Sequence, residues 1–211
     1  MRPLPSNNSG RRARAALHIP IPKQTDLPIS YNIAPSQKVL SIGNGKPAIW
    51  RRVQVPGSIN LTRLHDVFQV VMGWTDSHLH HFVDAPIVYS VPSGDNYPGE
   101  ERLDERRFRL ADVARHEKAS FIYEYDFGDS WVHEVVVEKT LPADPNKKYV
   151  CLHGKNACPP EDCGGIWGYY ELLKAVKNPK HKETRKCSTG SAASLIRATS
   201  ISKRSTLNSV A

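Results

Sequence analysis

Tyr123-Glu124-Tyr125-Asp126-Phe127-Gly128-Asp129-Ser130-Trp131-Val132-His133-Glu134-Val135 is the stretch on which the fold turns. Before Asp126, Phe121, Tyr123 and Tyr125 alternate with polar or less bulky neighbours; after Ser130 the alternation resumes as Trp131, His133, Val135 and Val137. A period of two in aromatic and β-branched residues is the pattern of a strand with one buried face. Gly128-Asp129 lies between the two runs and predicts a tight turn. The middle of the chain is therefore expected to be an antiparallel hairpin, Ala119 to Asp126 and Trp131 to Lys139.

Working towards the N-terminus, Leu61, Leu64, Val67, Phe68 and Val71 recur at helical spacing, with Asn60 placed to cap the helix and Gly73 to end it. Ile49, Arg51, Val53 and Val55 alternate against Trp50, Arg52 and Gln54, a strand ended by Pro56-Gly57. Val39 to Ile42 reads as its hairpin partner across Gly43-Asn44-Gly45. His78 to Val83 and Ile87 to Val91 read as strands, Ser93 to Glu101 as a polar loop, and Leu110 to Ala114 as a helical turn. Further on, Tyr149 to Leu152 is expected as a short strand, Cys158 to Gly165 as a tight loop and Trp167 to Val176 as a helix. The expected class is α+β: a mixed, mainly antiparallel sheet with two principal helices, a single domain with disordered tails. The domain is placed at residues 37–182, between a disordered basic N-terminal extension at 1–36 and a disordered basic tail at 183–211.

The chain has 211 residues, long enough for one domain with a core, and a formal charge of +8. That charge is unevenly spread. Residues 1–48 carry +6, residues 180–211 another +6, and residues 49–179 hold 15 basic against 19 acidic side chains. A folded nucleic-acid binder carries its basic surface on the fold, so specific nucleic-acid binding by the core is not expected. Arg11, Arg12 and Arg14 before Ala15-Ala16-Leu17 imitate a signal peptide, but His18, Pro20 and Pro22 interrupt the run and a signal peptide is rejected. The apolar runs are too short for a bilayer, no membrane partner is expected, and a cytoplasmic location is the expectation. Cys151, Cys158, Cys163 and Cys187 then read as free or metal-bound thiols.

Several motifs occur together and in order: Pro47-Ala48-Ile49-Trp50-Arg51-Arg52, Met72-Gly73-Trp74, His78-Leu79-His80, and Leu103-Asp104-Glu105-Arg106. Tyr125-Asp126-Phe127-Gly128-Asp129-Ser130-Trp131 with His133 follows, then Ala157-Cys158-Pro159-Pro160-Glu161-Asp162-Cys163-Gly164-Gly165 with Gly168-Tyr169. Over this span the chain resembles the plasmid pRiA4b open-reading-frame-three-like family of bacteria, archaea and mobile elements. The resemblance implies an α+β fold and carries a loose association with transposon resolvases. The residues do not support recombinase chemistry: Ser130 stands between Asp129 and Trp131 without a neighbouring Arg, and no helix-turn-helix pattern follows.

His78 and His80 share one face of a strand, the spacing of a metal-binding pair beside His81 and Asp84. Cys151, His153, Cys158 and Cys163 offer a zinc ligand set, though without tight Cys-x-x-Cys spacing. Asp126, Asp129, Glu161 and Asp162 could gather at one end of the sheet for a divalent metal, or simply cap turns. Trp50, Arg52, Trp74, Trp131 and His133 complete a candidate groove for a protein, peptide or small-molecule ligand. No cofactor is required by this reading; zinc or another divalent metal is the candidate. The expected function is a non-catalytic binding or accessory domain, associated with a plasmid or transposable element. The alternative is a metal-assisted hydrolase or nuclease using His78, His80, Asp126 and Asp129.

The family's C-terminal type, Met-Leu-x-Trp-x-Gly-x-x-Phe-Asp-Pro, is absent after Lys182. A permissible codon choice for Lys186 to Ile196, read from the last base of the Lys codon, spells Met-Leu-Asp-Trp-Ile-Gly-Gly-Glu-Phe-Asp. The tail is therefore read as a product of a frame shift near Thr184.

Overall fold

The computed structural model describes residues 29–37, 49–92, 101–142, 149–177 and 205–206. The central hairpin forms as the alternation requires. β6 (Ser120–Tyr125) and β7 (Trp131–Pro142) pair antiparallel, with Phe121, Tyr123, Tyr125, Trp131, His133, Val135 and Val137 buried on one face. The remaining strands are β1 (Ile29–Gln37), β2 (Ile49–Pro56), β3 (His80–Asp84), β4 (Ile87–Ser90), β5 (Glu101–Asp104), β8 (Val150–Lys155) and β9 (Ser205–Thr206). The sheet order among the described residues is β5-β4-β3-β6-β7-β1-β2-β8-β9, antiparallel except for the β4–β5 pair. This is the expected α+β class with a mixed, mainly antiparallel sheet.

α1 (Leu61–Met72) and α3 (Gly165–Lys177) are the two principal helices; α2 (Leu110–Val113) is a single turn. Asn60 caps α1, its side chain accepting from the Arg63 amide at 2.8 Å, and Gly73 ends it at φ 80°. That left-handed φ is the conformation glycine adopts without steric cost. Leu61, Leu64, Val67, Phe68 and Val71 are buried against the sheet, the Phe68 ring 4.9 Å from Tyr123 and 6.4 Å from Phe82. Removing the cap oxygen with Asn60→Ala should lower the unfolding free energy by about 1 kcal/mol. A urea midpoint that falls with an unchanged slope is the expected result.

Two assignments change. Ile29–Pro35 was expected in the disordered extension, yet β1 begins at Ile29 and lies between β7 and β2. Ile29, Tyr31 and Ile33 alternate with Ser30 and Asn32, but Pro35 argues against a strand here, because proline is normally excluded from central strands. β1 nevertheless fills a gap between two ladder edges, with a register irregularity at Asn32/Ile33. β2 therefore pairs with β1, while the expected hairpin partner Val39–Ile42 lies outside the described residues. Ser205–Thr206, in the tail expected to lack structure, pairs with Val150–Cys151. β5 was not anticipated: four residues of mixed polarity carry too short a pattern to be read.

Candidate functional site

Imidazoles and carboxylates collect where α1 stops and the chain crosses through residues 74–79 into β3. One group is a closed circuit of hydrogen bonds. The Asp76 amide donates to Gln69 Oε1 (3.0 Å) and Gln69 Nε2 donates to the Tyr123 hydroxyl (3.2 Å). That hydroxyl lies 2.8 Å from His65 Nδ1, and His65 Nε2 lies 2.8 Å from Asp76 Oδ1. A carboxylate oxygen accepts, so Nε2–H donates to Asp76; in a neutral ring Nδ1 is then bare and accepts the phenol proton, while Gln69 donates to the phenol oxygen. Burial, with His80 adding to it, pushes the His65 pKa down, which fits a neutral ring.

His80 stacks on His65, ring centroids 3.5 Å apart and planes within 8°, and its Nε2 lies 3.0 Å from Oε2 of the fully buried Glu105. Ligand atoms of His65, Asp76 and His80 lie within 4.8 Å of one another. Stacked imidazoles have their lone pairs in parallel planes, so the two rings cannot both point at one ion without rotating. This cluster is a structural lock between α1, β3 and the 3-10 turn Glu105–Arg107 that follows β5.

The second group is open. His78 precedes β3, Asp126 begins the β6–β7 turn, and Asp162 lies in the loop before α3. His78 Nε2 is 3.1 Å from Asp162 Oδ1 and 3.7 Å from Asp126 Oδ2. One ligand atom from each falls within 4.8 Å of the others. Nε2 is shielded from solvent and makes no aligned hydrogen bond among the described residues, despite its proximity to Asp162. Asp126 spends only one oxygen on the turn: Oδ1 accepts the amides of Gly128 (3.0 Å) and Asp129 (3.2 Å).

Neighbouring contacts hold these segments together. Asp129 Oδ2 accepts the Gly164 amide at 3.2 Å, and a Cβ at Gly165 would sit 3.0 Å from the Asp129 carbonyl oxygen. The turn and the start of α3 thus touch backbone to backbone. Glu161 accepts from the Thr75 hydroxyl, the Thr75 amide (3.1 Å) and the Tyr125 hydroxyl. Burial alone would raise the Glu161 pKa, but these bonds outweigh it and hold it below the ordinary value. Tyr125 is pushed up by burial and by the same bond to Glu161.

The expected site residues separate. His78 and Asp126 come together with Asp162, and Asp129 lies beside Asp126 in the turn, while His80 leaves the pair and joins the His65 stack. Trp74, Trp131 and His133, expected as groove walls, are buried core: Trp74 stacks on Tyr125 at 4.8 Å and donates to the Pro159 carbonyl at 2.9 Å. Trp50 and Arg52 lie on the face of β2 opposite the buried Arg51, where Arg52 pairs with Glu138 and lies 5.5 Å over the Trp50 ring.

The cysteine set is not gathered into one ligand group either. Cys158 accepts from Arg51 Nη2 (3.0 Å) and lies 3.1 Å from Met72 Sδ; Cys151 and Cys163 each have a carbonyl, of His153 and Gly165, at 3.8 Å. Burial pushes the Cys158 thiol up to about 11 and that of Cys163 up to about 12, and raises Cys151. Zinc there would require the thiols to turn from these partners and deprotonate. His65 and Glu105 were missed. His65 follows Leu61 by four and Leu64 by one, which places it on the buried helical face, a readable signal; Glu105 carries none.

A nine-stranded sheet with two principal helices and this imidazole–carboxylate end defines a class of α+β protein. The chain belongs to the family of plasmid pRiA4b ORF-3-like proteins, whose model matches residues 37–192. It is 40% identical over 144 residues to the uncharacterised protein y4hQ of Sinorhizobium fredii, spanning 68% of this chain and 73% of that one. The crystal structure of a protein of unknown function from Methanosarcina mazei Go1 matches with a TM-score of 0.63 at 32% identity, over 76% of this chain and 88% of that one. Among the described residues no helix is long and apolar enough to cross a membrane.

Proposed function

We propose that this chain is a binding domain rather than a catalyst, and that its ligand end carries a divalent cation on His78, Asp126 and Asp162. The observation that supports this is the convergence of three potential ligand atoms from separate chain segments, with a shielded His78 Nε2 that makes no aligned hydrogen bond among the described residues. One imidazole with two carboxylates suits Mn²⁺ or Zn²⁺. The bound ion would offer its open positions to a carbonyl or carboxylate of a protein, peptide or small-molecule ligand. The neighbouring groups favour binding over turnover, since Asp129 and Glu161 are committed to hydrogen bonds and the thiols are held protonated. The family's plasmid name fits an accessory role for a mobile element.

Titrating Mn²⁺ into the purified full chain and following water-proton relaxation should show one ion per chain. Asp126→Asn keeps the oxygen that accepts the turn amides and removes the charge, so its affinity should fall about tenfold or more with the fold intact; His78→Gln should behave alike. Equal binding by both variants would remove the proposal.

A second reading rests on the exposure of Asp162, whose side chain is 76% accessible and leaves the outer side of the ligand set open to water. Catalytic metal sites keep such a position. Manganese-dependent cleavage of bis(p-nitrophenyl) phosphate that is lost in His78→Gln would favour hydrolysis; ion binding without cleavage favours the binding domain.

A further inference from the structure

At the other end of α1 the acidic balance of the domain is reversed. The amides of Leu61 and Leu110 bond to the carbonyls of Phe108 and Ile59, at 3.0 and 2.8 Å, and so stitch residues 59–61 to 108–110. This brings Arg63 beside Arg106, Arg107 and Arg109, which are far from it in sequence. The four arginines, with Phe108 and Tyr149, line a pocket of about 470 Å³ with no Asp or Glu in its wall. Arg63 bonds Asp66 at 3.2 Å, and Arg106 bonds both oxygens of Asp104 at 2.8 Å; Asp104 also acts on Arg107 through space, and Asp112 accepts the backbone amide of Arg109 at 2.8 Å. Arg107 and Arg109 are exposed, and no side-chain partner is found for either among the described residues.

We propose that this pocket binds the phosphate groups of a small phosphorylated ligand of nucleotide size, independently of the cation site. Guanidinium groups grip phosphate through paired charge-assisted hydrogen bonds, and those of Arg107 and Arg109, which make no side-chain hydrogen bond among the described residues, have donors to offer phosphate oxygens. The volume lies within the range of small-molecule sites. Tyr149 and Phe108 give the wall an aromatic part against which a planar ring can pack. The arginine side chains carry the proposal, not the helix end, since the amides of Leu61, Arg63 and Leu64 already have partners within the chain.

The test is calorimetry on the full chain at low salt, with EDTA present so that the other end of the domain takes no part. Pyrophosphate and ATP are titrated separately, and a single-stranded oligonucleotide forms a third arm. Wild-type protein should bind ATP, and the double variant Arg107→Gln/Arg109→Gln should bind it at least about tenfold more weakly. Arg115→Gln, outside the pocket, should bind as wild type; the basic tails are the same in all three proteins and cancel in the comparison. Coincident thermal melts would show that the exposed substitutions leave the fold alone. Absence of ATP and pyrophosphate binding at millimolar concentration would overturn the proposal, as would equal weakening by Arg115→Gln or no weakening by the double variant. Arginine-dependent binding of the oligonucleotide alone would replace the small ligand with nucleic acid.

Discussion

Arg51→Met should lower the unfolding free energy by about 3–5 kcal/mol, the largest effect expected of any single substitution considered for this chain. Arg51 is 2% exposed, and among the described residues no carboxylate is a hydrogen-bond partner of it. Its guanidinium instead bonds four backbone carbonyls, Val71 at 3.0 Å, Trp50 at 2.9 Å, Lys155 at 3.2 Å and Asn156 at 3.0 Å, and the Cys158 sulfur. Val71 lies in the last turn of α1, where free carbonyls and the helix dipole present negative charge. One cation thus ends α1, secures the β2–β8 pair and fixes the loop towards α3. Gly154 makes room for it, since a Cβ there would lie 2.8 Å from Arg51 Cδ. Methionine fills much of the volume but leaves the carbonyls without donors. Arg51→Lys should recover only part of the loss, because three donors on a compact ammonium cannot serve a planar set of acceptors. Urea unfolding measures both; a loss below about 1 kcal/mol for Arg51→Met would mean that water takes over those carbonyls.

Acidification should cost nearly as much through one ring. His133 is 1% exposed, and burial pushes its pKa down to about 4. In the unfolded chain it titrates near about 6.5. Above that value the ring is neutral in both states and its contribution is complete. Between about 6.5 and 4 the unfolded state takes up the proton first, so stability is lost as pH falls through this window. Below about 4 both states are protonated and the loss is complete. The full depression corresponds to about 3 kcal/mol. His65, also lowered by burial, acts in the same direction. Urea midpoints between pH 7.5 and 4 should therefore fall steeply, and His133→Gln should flatten the curve although it is less stable at pH 7.5. An unchanged pH slope in that variant would assign the acid sensitivity to other groups.

The elements that could be read from sequence are those whose partner lies close along the chain. The β6–β7 hairpin, α1 with its Asn60 and Gly73 ends, and α3 follow from period, cap and turn chemistry within a few residues. In β1 the alternation of Ile29, Tyr31 and Ile33 with Ser30 and Asn32 runs for only five residues before Ala34-Pro35, and the strand's place depends on ladders to Val135 and Val53. The site divides likewise. The sequence groups Asp126 and Asp129 with Glu161 and Asp162 at one end of the sheet but pairs His78 with His80 on a strand face; the structure brings His78 to Asp126 and Asp162 instead. Separating His78 from His80 required the position at which β3 begins, which alternation alone left two residues early. The arginine pocket was invisible for a different reason. A charge count over residues 49–179 averages away a local excess that two backbone hydrogen bonds assemble from residues about fifty apart.

The position of β1 also changes what a boundary means in this protein. β7 reaches β2 only through it, so the strands divide into one half-sheet of β5-β4-β3-β6-β7 and another of β2-β8-β9, clasped by a strand that lies almost wholly before the family-matched region begins at residue 37. A chain trimmed to the matched region would keep the hairpins and both helices yet lose the clasp. Two rows of backbone donors and acceptors would then face water, a ready template for an extended segment of any sequence that can satisfy the ladders. Recombination or trimming near this end therefore acts on whether the sheet is one object or two, while leaving the residues of both candidate sites in place.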